Sequence, residues 1–289
     1  LMLRNDKEFC EMSTDKQPDR ILMVGAGKMG GALIESWLLK KTINPSDVVL
    51  VEPRVSRAKY FRDAYSLYTF ETPEAINTGL GDATILFAVK PQAMDEVVPL
   101  YKPLVQPGRL ILSIAAGTPI SYFEQHLGQD MAVVRAMPNT PASIGHGITV
   151  LCANKNVTKE QKDRCETLIG AVGKVEWIDD EQLMNVVTAV SGSGPAYVFL
   201  LIETLAQAGI SAGLSADLAN RLALSTVAGA GALADQAEES PAMLRKNVTS
   251  PGGTTSAALE VLMADDGLGS LIERAVVAAK ERGRQLSES

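Results

Sequence analysis

Cysteine and histidine are scarce in this chain, which has three cysteines and two histidines among its 289 residues. Cys10, Cys152 and Cys165 are scattered and odd in number, and no Cys-x-x-Cys or Cys/His pairing occurs. His126 and His146 cannot form a metal cluster by themselves. A disulfide framework and a zinc site are therefore unsupported, so we expect no bound metal and a reducing, cytoplasmic compartment.

An excess of positive charge is also missing, because 27 Lys and Arg stand against 34 Asp and Glu. The chain has no basic cluster, so we expect no nucleic-acid partner, and any anion site must be built locally. Glu203 interrupts the longest apolar stretch, residues 196–210, which we interpret as a buried helix and not as a membrane span. The first residues lack the apolar segment of a signal peptide, and we expect residues 1–19 to be a disordered leader or a cloning remnant.

The composition is that of a globular protein with a sizeable core, with 46% hydrophobic and 21% charged residues. From residue 20, short apolar strands alternate with amphipathic helices, which predicts an α/β fold with a doubly wound, mostly parallel Rossmann sheet. Strand patterns end near residue 180. We therefore expect a Rossmann domain over 20–180 and an all-α domain for substrate binding and dimerisation over 181–289. Residues 219–234 are apolar nearly all round, which predicts a buried helix partly covered by a partner subunit.

The predicted elements of the first domain are short and closely spaced. The predicted strands cover residues 21–25, 48–51, 84–89, 109–114, 132–136, 148–153 and 174–178. The predicted helices cover residues 29–39, 56–64 and 159–171.

A G-x-G-x-x-G motif follows the first predicted strand and opens the first predicted helix. This context, with an acidic residue at the end of the second strand, is that of a dinucleotide-binding fingerprint. The glycines would make the turn, admit the pyrophosphate and allow close helix packing. A glycine-rich turn without a cofactor is the weaker alternative. The predicted cofactor-binding residues are Gly25, Ala26, Gly27, Lys28, Met29 and Gly30.

The acidic residue is Glu52, whose carboxylate would accept hydrogen bonds from the ribose hydroxyls and disfavour a 2′-phosphate. Arg54, two residues later, could instead bind that phosphate, or the two could form a solvated pair. The pattern leans towards NADH but leaves NADPH open.

Two further segments follow successive central strands, where ligands bind in open α/β sheets. Each alone could be a plain turn, but their succession after the fingerprint favours cofactor contact. The next strand ends at Asn139 and Thr140, which lie either near the reactive end of the cofactor or in a rigid turn. The predicted contact residues are Ala88, Val89, Lys90 and Pro91 after one strand, and Ala115, Ala116 and Gly117 after the next.

Near the end of the chain, Ser-Pro-Gly-Gly-Thr-Thr at residues 250–255 precedes a predicted helix. Two glycines before a helix leave several backbone N–H groups without partners, which can hold a carboxylate without Lys or Arg. A structural helix start is the alternative interpretation.

Six segments, in this order and spacing over residues 21–286, resemble the pyrroline-5-carboxylate reductase family: VGAGKMG, AVKPQ, SIAAG, RAMPNTP, VSGSGPAYVF and NVTSPGGTTSAALEVL. The resemblance implies NAD(P)H-dependent reduction of 1-pyrroline-5-carboxylate to L-proline, and a Rossmann domain followed by an intertwined helical domain in a homodimer, often within a decamer. It implies that Asn247 lies near the cofactor. It places Glu181, Ser250, Gly252, Gly253, Thr254 and Thr255 at the substrate, across the dimer interface.

In this reaction, hydride passes to the ring carbon and a proton ends on nitrogen. We expect Thr255 to hydrogen-bond the ring nitrogen, either relaying the proton or orienting the ring. One rival is a β-hydroxyacid dehydrogenase or another imine reductase, but the catalytic Lys of the former is missing from residues 192–199. The other rival is a non-catalytic dinucleotide-binding protein, which would not need the 250–255 segment.

Overall fold

The computed structural model describes residues 20–76 and 80–288 of the chain. The predicted leader, residues 1–19, lies outside them. The chain forms two compact units, one running to Gly192 and resumed from Gly283 onward, the other spanning Ser193–Arg282. The division falls about a dozen residues after the expected boundary at 180, because the residues that follow the last strand still pack with the sheet.

The first unit is built on one eight-stranded sheet with the order β3-β2-β1-β4-β5-β6-β7-β8. Neighbouring strands are parallel except for β6 and β7, so the predicted mostly parallel Rossmann sheet is confirmed. The strands are β1 Ile21–Val24, β2 Val48–Val51, β3 Tyr68–Phe70, β4 Thr84–Phe87, β5 Leu110–Ser113, β6 Ala132–Met137, β7 Gly147–Ala153 and β8 Gly173–Trp177.

Helices cover both faces of this sheet, which is why its central strands are apolar on both sides. In β1, Ile21 and Met23 belong to one core layer and Leu22 and Val24 to the other. Thr158 and Gln161 form a reciprocal capping box at the start of α5. The helices of this unit are α1 Lys28–Leu39, α2 Val55–Tyr65, α3 Met94–Val97, α4 Ile120–Leu127, α5 Lys159–Gly170 and α6 Met184–Val187.

The second unit is entirely helical over its described residues. Its first two helices approach closely at Gly209, where an added Cβ would lie 3.4 Å from the Cβ of Ala219. The helices are α7 Gly194–Ser211, α8 Ala216–Gln236, α9 Pro241–Asn247, α10 Thr254–Leu262 and α11 Leu268–Glu288.

The single chain leaves both apolar helices largely uncovered. It does not bury residues 196–210 as predicted, whereas for residues 219–234 the sequence predicts cover that comes partly from a partner subunit. In α7 only Ala206 is buried, and in α8 only Ala219 and Ala223 are buried. About 90 residues of helix provide too few layers to cover both helices. Large apolar side chains therefore face outward, among them Phe199 at 63%, Leu200 at 59%, Leu224 at 56%, Val261 at 72% and Val277 at 60% exposed.

The same exposure explains one membrane-like feature among the described residues. The helical run Glu181–Ser211 is long and apolar enough to cross a membrane by length and composition, with a mean hydropathy of 1.4. A single run of this kind is weak support for a membrane span, because helices that pack in protein interfaces share its composition.

The last turns of α11 belong to the first unit. An added Cβ on Gly283 would lie 3.2 Å from Oδ1 of Asn185, and one on Gly117 would lie 3.8 Å from the carbonyl oxygen of Leu286. The end of the described chain thus packs against the loop that follows β5.

Candidate active site

The fingerprint turn has the geometry that its glycines predict. Gly25 has a φ of +88°, and its N–H donates to the carbonyl of Val51 at 2.9 Å. A Cβ there would lie 2.9 Å from Cγ1 of Val89 and 3.2 Å from the carbonyl oxygen of Ala88. Both the conformation and the close approach therefore require glycine at this position.

The other two fingerprint glycines face different surroundings. A Cβ added to Gly27 would meet nothing within 4 Å, whereas one on Gly30 would collide with the carbonyl oxygen of Gly25 and lie 2.9 Å from the Cβ of Ala88. Gly27 is also the N-cap of α1 and contributes no side-chain cap. No side chain therefore caps the first N–H groups of this 12-residue helix, and the space beside Gly27 is open, which suits a pyrophosphate.

Glu52 ends β2 but is engaged by the protein itself. The side chain is 2% exposed, and Oε2 accepts from the N–H of Ala26 at 2.9 Å. Arg54 donates from Nε to Oε1 and from Nη2 to Oε2, both at 2.8 Å. Burial alone would raise the pKa of Glu52, but the hydrogen bonds from Arg54 and Ala26 outweigh it and lower the pKa below its ordinary value of 4.5.

The segments after β4 and β5 lie side by side at the carboxyl edge of the sheet. Ala88 N–H donates to Val24 at 2.8 Å, and Ile114 N–H donates to Phe87 at 3.1 Å. A cavity of about 530 Å³ opens here and is lined by Pro91, Ala116 and Gly117, among others. Three predicted cofactor residues therefore meet at one cavity.

Four lining residues of this cavity carry no motif and were missed from the sequence: Asp95, Tyr122, Asn185 and Thr188. Burial, and then the neighbouring Asp95 carboxylate, raise the pKa of Tyr122. Asp95 lies on α3, Tyr122 on α4, Asn185 on α6 and Thr188 directly after α6, so only the packing of these helices at the edge of the sheet brings them there.

The structure gives positions for Asn139, predicted to lie near the reactive end of the cofactor or in a rigid turn, and for Lys90, predicted to contact the cofactor. The amide Oδ1 of Asn139 accepts from Ile148 N–H at 3.0 Å, so Asn139 holds the turn that leads into β7. Lys90 is exposed as the N-cap of a short 3-10 turn. These positions favour the turn interpretation for Asn139 and a strand-end position for Lys90.

Glu181 connects three separate segments of the first unit. Its Oε1 accepts from Arg135 Nη1 on β6 at 2.8 Å and from Ile120 N–H, the first residue of α4, at 2.9 Å. The Arg135 side chain is 6% exposed and that of Glu181 is 29% exposed. The carboxylate therefore sits at a helix N-terminus and neutralises a buried guanidinium.

The substrate residues predicted from the 250–255 segment lie in the second unit. Gly252 has a φ of +68°, and the Gly253 N–H donates to Ser250 at 3.0 Å, which closes a tight turn. Gly253 is then the N-cap of α10 and provides no side-chain cap to the helix that begins at Thr254. The first N–H groups of α10 thus have no side-chain cap, as the sequence predicts for a carboxylate-binding turn. Asn247 lies exposed at the end of α9.

Comparison with known proteins gives matches in both parts of the chain. Residues 181–286 match the family model described as pyrroline-5-carboxylate reductase dimerisation, and residues 20–117 match the model described as NADP oxidoreductase, coenzyme F420-dependent. The pyrroline-5-carboxylate reductase of Pseudomonas aeruginosa is 41% identical over 271 residues, which cover 93% of this chain and 97% of that protein. The chain belongs to the pyrroline-5-carboxylate reductase family.

Solved structures of the family agree with this assignment. The Coxiella burnetii pyrroline-5-carboxylate reductase superposes with a TM-score of 0.86 at 34% identity, covering 93% of this chain and 99% of that chain. The Plasmodium falciparum enzyme, solved with NADP bound, gives 0.78 at 30% identity, covering 93% and 98%. The resemblance inferred from the motifs is thus confirmed, and this member of the pyrroline-5-carboxylate reductase family is an NAD(P)H-dependent oxidoreductase.

Proposed function

We propose that this chain reduces the C=N bond of 1-pyrroline-5-carboxylate to give L-proline, the last step of proline biosynthesis. The observation that carries the proposal is the pair of uncapped helix N-termini, one in each unit. The first, at α1, suits the pyrophosphate of a dinucleotide. The second, at α10, suits the carboxylate of a small acid.

The dinucleotide would lie along the carboxyl edge of the sheet. Gly27 and the first turn of α1 would hold its pyrophosphate, and the segments after β4 and β5 would contact the nicotinamide half. Bound there, the dihydronicotinamide supplies hydride to the ring carbon. The chain's own contribution is to fix the geometry and to exclude water from the reacting atoms.

The substrate would be held by the second unit. Backbone N–H groups from Gly252 to Thr254 would bind its carboxylate, and Ser250 would shape the turn. Thr255, half-buried in the first turn of α10, would hydrogen-bond the ring nitrogen and guide the proton to it. A protonated imine needs no strong acid, which fits a site built from hydroxyl and backbone groups.

Both reduced dinucleotides would be accepted. The Glu52 carboxylate is neutralised by Arg54 and held by Ala26, so its repulsion of a 2′-phosphate is reduced. This pairing supports NADPH use alongside NADH, against the lean towards NADH that the isolated Glu52 suggests.

The working form would be a homodimer, with a decamer as a further assembly of dimers. The outward apolar side chains of α7, α8 and α10 support this, since such a surface needs cover. The acidic charge balance supports an enzyme without a nucleic-acid partner, and the few scattered cysteines support a reducing, cytoplasmic location.

Turnover tests the proposal directly. Purified protein is mixed with 1-pyrroline-5-carboxylate and either NADH or NADPH, and the loss of absorbance at the dihydronicotinamide band is followed together with proline formation. We expect proline to form in proportion to the cofactor consumed. Dinucleotide binding without turnover would instead indicate a binding protein, and turnover of a hydroxyacid would indicate a dehydrogenase.

A further inference from the structure

Arg57, in the first turn of α2, contacts the fingerprint turn although no motif includes it. Its Nε donates to the carbonyl oxygen of Ala26 at 2.9 Å. The N–H of the same residue, Ala26, donates to Glu52. The backbone of Ala26 is therefore held at its N–H by one side chain and at its carbonyl by another.

The guanidinium of Arg57 is itself fixed by packing. The Cζ atom of Arg57 lies 4.8 Å from the centroid of the Phe61 ring and 5.2 Å from that of the Tyr60 ring. Phe61 is fully buried, so its ring is a firm surface for a cation to stack on. Arg57 makes no ion pair within the described residues, so no carboxylate competes for its position.

A second, independent observation concerns Gly31 in α1, which lies outside the fingerprint. A Cβ there would collide with Nη2 of Arg57 and lie 3.4 Å from Cζ of Phe61. Alanine is the better helix former, so glycine inside this helix needs a steric reason. The space that Gly31 leaves open is filled by the guanidinium.

We propose that Arg57 is a positioning residue for the dinucleotide: it holds the Ala26 carbonyl so that the turn between β1 and α1 keeps the shape the pyrophosphate requires. Gly31 permits this by leaving room for the guanidinium. The inference rests on the proposed use of a nicotinamide dinucleotide. The proposed role differs from that of a ligand for the 2′-phosphate, because a residue that holds the turn affects the binding of NADH and NADPH equally.

Binding of both dinucleotides to the whole protein separates these roles. Titration calorimetry with NADH and with NADPH is run on wild type and on Arg57→Met, which keeps an unbranched stem but removes the guanidinium and its donors. We expect Kd to rise by roughly tenfold for both dinucleotides, the order expected for one charge-assisted hydrogen bond. Saturated kcat should stay near wild type, because Arg57 does not touch the reacting atoms.

Arg62→Met is the matched control. Arg62 is on the same helix and carries the same charge, but it contacts Thr69 and Asp63 instead of the turn. We expect its Kd values to stay within a factor of two of wild type. An equal loss of dinucleotide affinity in Arg62→Met would mean that the overall positive charge of α2 matters, and the proposed role of Arg57 in holding the turn would be wrong.

Gly31→Ala provides a second variant in case Arg57→Met folds poorly. It should raise both Kd values by displacing the guanidinium, although it improves helix propensity. In the Arg57→Met background the same change should have almost no further effect, because the colliding atom is gone.

Each remaining outcome decides the matter. A loss confined to NADPH would make Arg57 a reader of the 2′-phosphate, and unchanged binding of both dinucleotides would remove any role. If Gly31→Ala and Arg57→Met change the binding free energy additively, Gly31 does not act by leaving room for the Arg57 guanidinium. If wild type itself binds neither dinucleotide, the proposed function fails and not merely this inference.

Discussion

Replacing Glu181 tests whether this carboxylate serves stability or substrate. The guanidinium of Arg135 is 6% exposed, and its one side-chain hydrogen bond within the described residues goes to Glu181. Glu181→Ala would leave that charge buried without a partner and would remove the acceptor for Ile120 N–H. Breaking a buried pair costs about 3–5 kcal/mol, and the partial exposure of Glu181 places the expected loss at about 3 kcal/mol of unfolding free energy.

Urea unfolding followed by tryptophan fluorescence measures this loss of stability in the first unit itself. The chain has two tryptophans, Trp37 and Trp177, and both lie in the first unit with Arg135 and Glu181. Protein concentration must be kept constant, because association shifts apparent stability.

The double variant Arg135→Met/Glu181→Ala sharpens the test. With the buried charge gone, it should be destabilised by about 1 kcal/mol, less than Glu181→Ala alone. The reasoning is refuted if Glu181→Ala keeps wild-type stability within about 0.5 kcal/mol and raises only the KM for pyrroline carboxylate. That result would make Glu181 a substrate ligand, as the family resemblance implies.

Three other predictions concern the catalytic parts. Thr255→Ala should lower kcat by about tenfold to a hundredfold while Kd for NADH stays near wild type, since Thr255 would touch the imine; an equal loss of dinucleotide affinity in calorimetry would show that it lies at the cofactor instead. Glu52→Gln should lower the free energy of unfolding at pH 7. The difference from wild type should shrink as the pH falls below about 4.5, because the pKa of Glu52 is lowered in the folded state and the stability that its carboxylate contributes is lost as that carboxylate is protonated. A difference that grows in acid would contradict this. Gly27→Asp subunits, which should not bind the dinucleotide, and the weakly active Thr255→Ala subunits should, when refolded together, give activity well above that of Thr255→Ala alone if one active site uses both chains. Mixed dimers that form but show no such gain would rule out shared sites.

The first unit was predictable from the sequence to within a residue or two per element, because its signals are local. Glycines after an apolar strand, and strands apolar on both faces, mark a dinucleotide-binding sheet wherever they occur. The strand Tyr68–Phe70 was missed, since three residues at the sheet edge, two half-buried and one buried, are too few to show a periodic pattern. The helix Ile120–Leu127 was missed as well, because Pro119 precedes it and no capping side chain marks its start.

The hydrogen-bond partners of the charged side chains could not be predicted from the sequence. For Glu52 the sequence offers contact with a ribose or a solvated pair with Arg54; the structure has the pair with Arg54, but the carboxylate is buried and also accepts from Ala26, which depends on how β1 and β2 lie together. Arg57 gave no signal for the same reason. The exposure of α7 in the single chain differs from its predicted burial, because a helix pattern predicts that a face needs cover and does not say which chain supplies it.

The docking of the end of α11 beside Asn185 and Gly117 has a consequence for biosynthesis. The ribosome synthesises the chain from the N-terminus, so the sheet can form before Gly283 and Leu286 leave the ribosome. The loop after β5 therefore receives its final packing only after the helical unit has been synthesised. A chain that stops at residue 282 would keep every strand and every glycine of the fingerprint, yet it would lack one wall beside the cavity at the sheet edge. Fusion tags are accordingly better placed at the beginning of the chain than at its end.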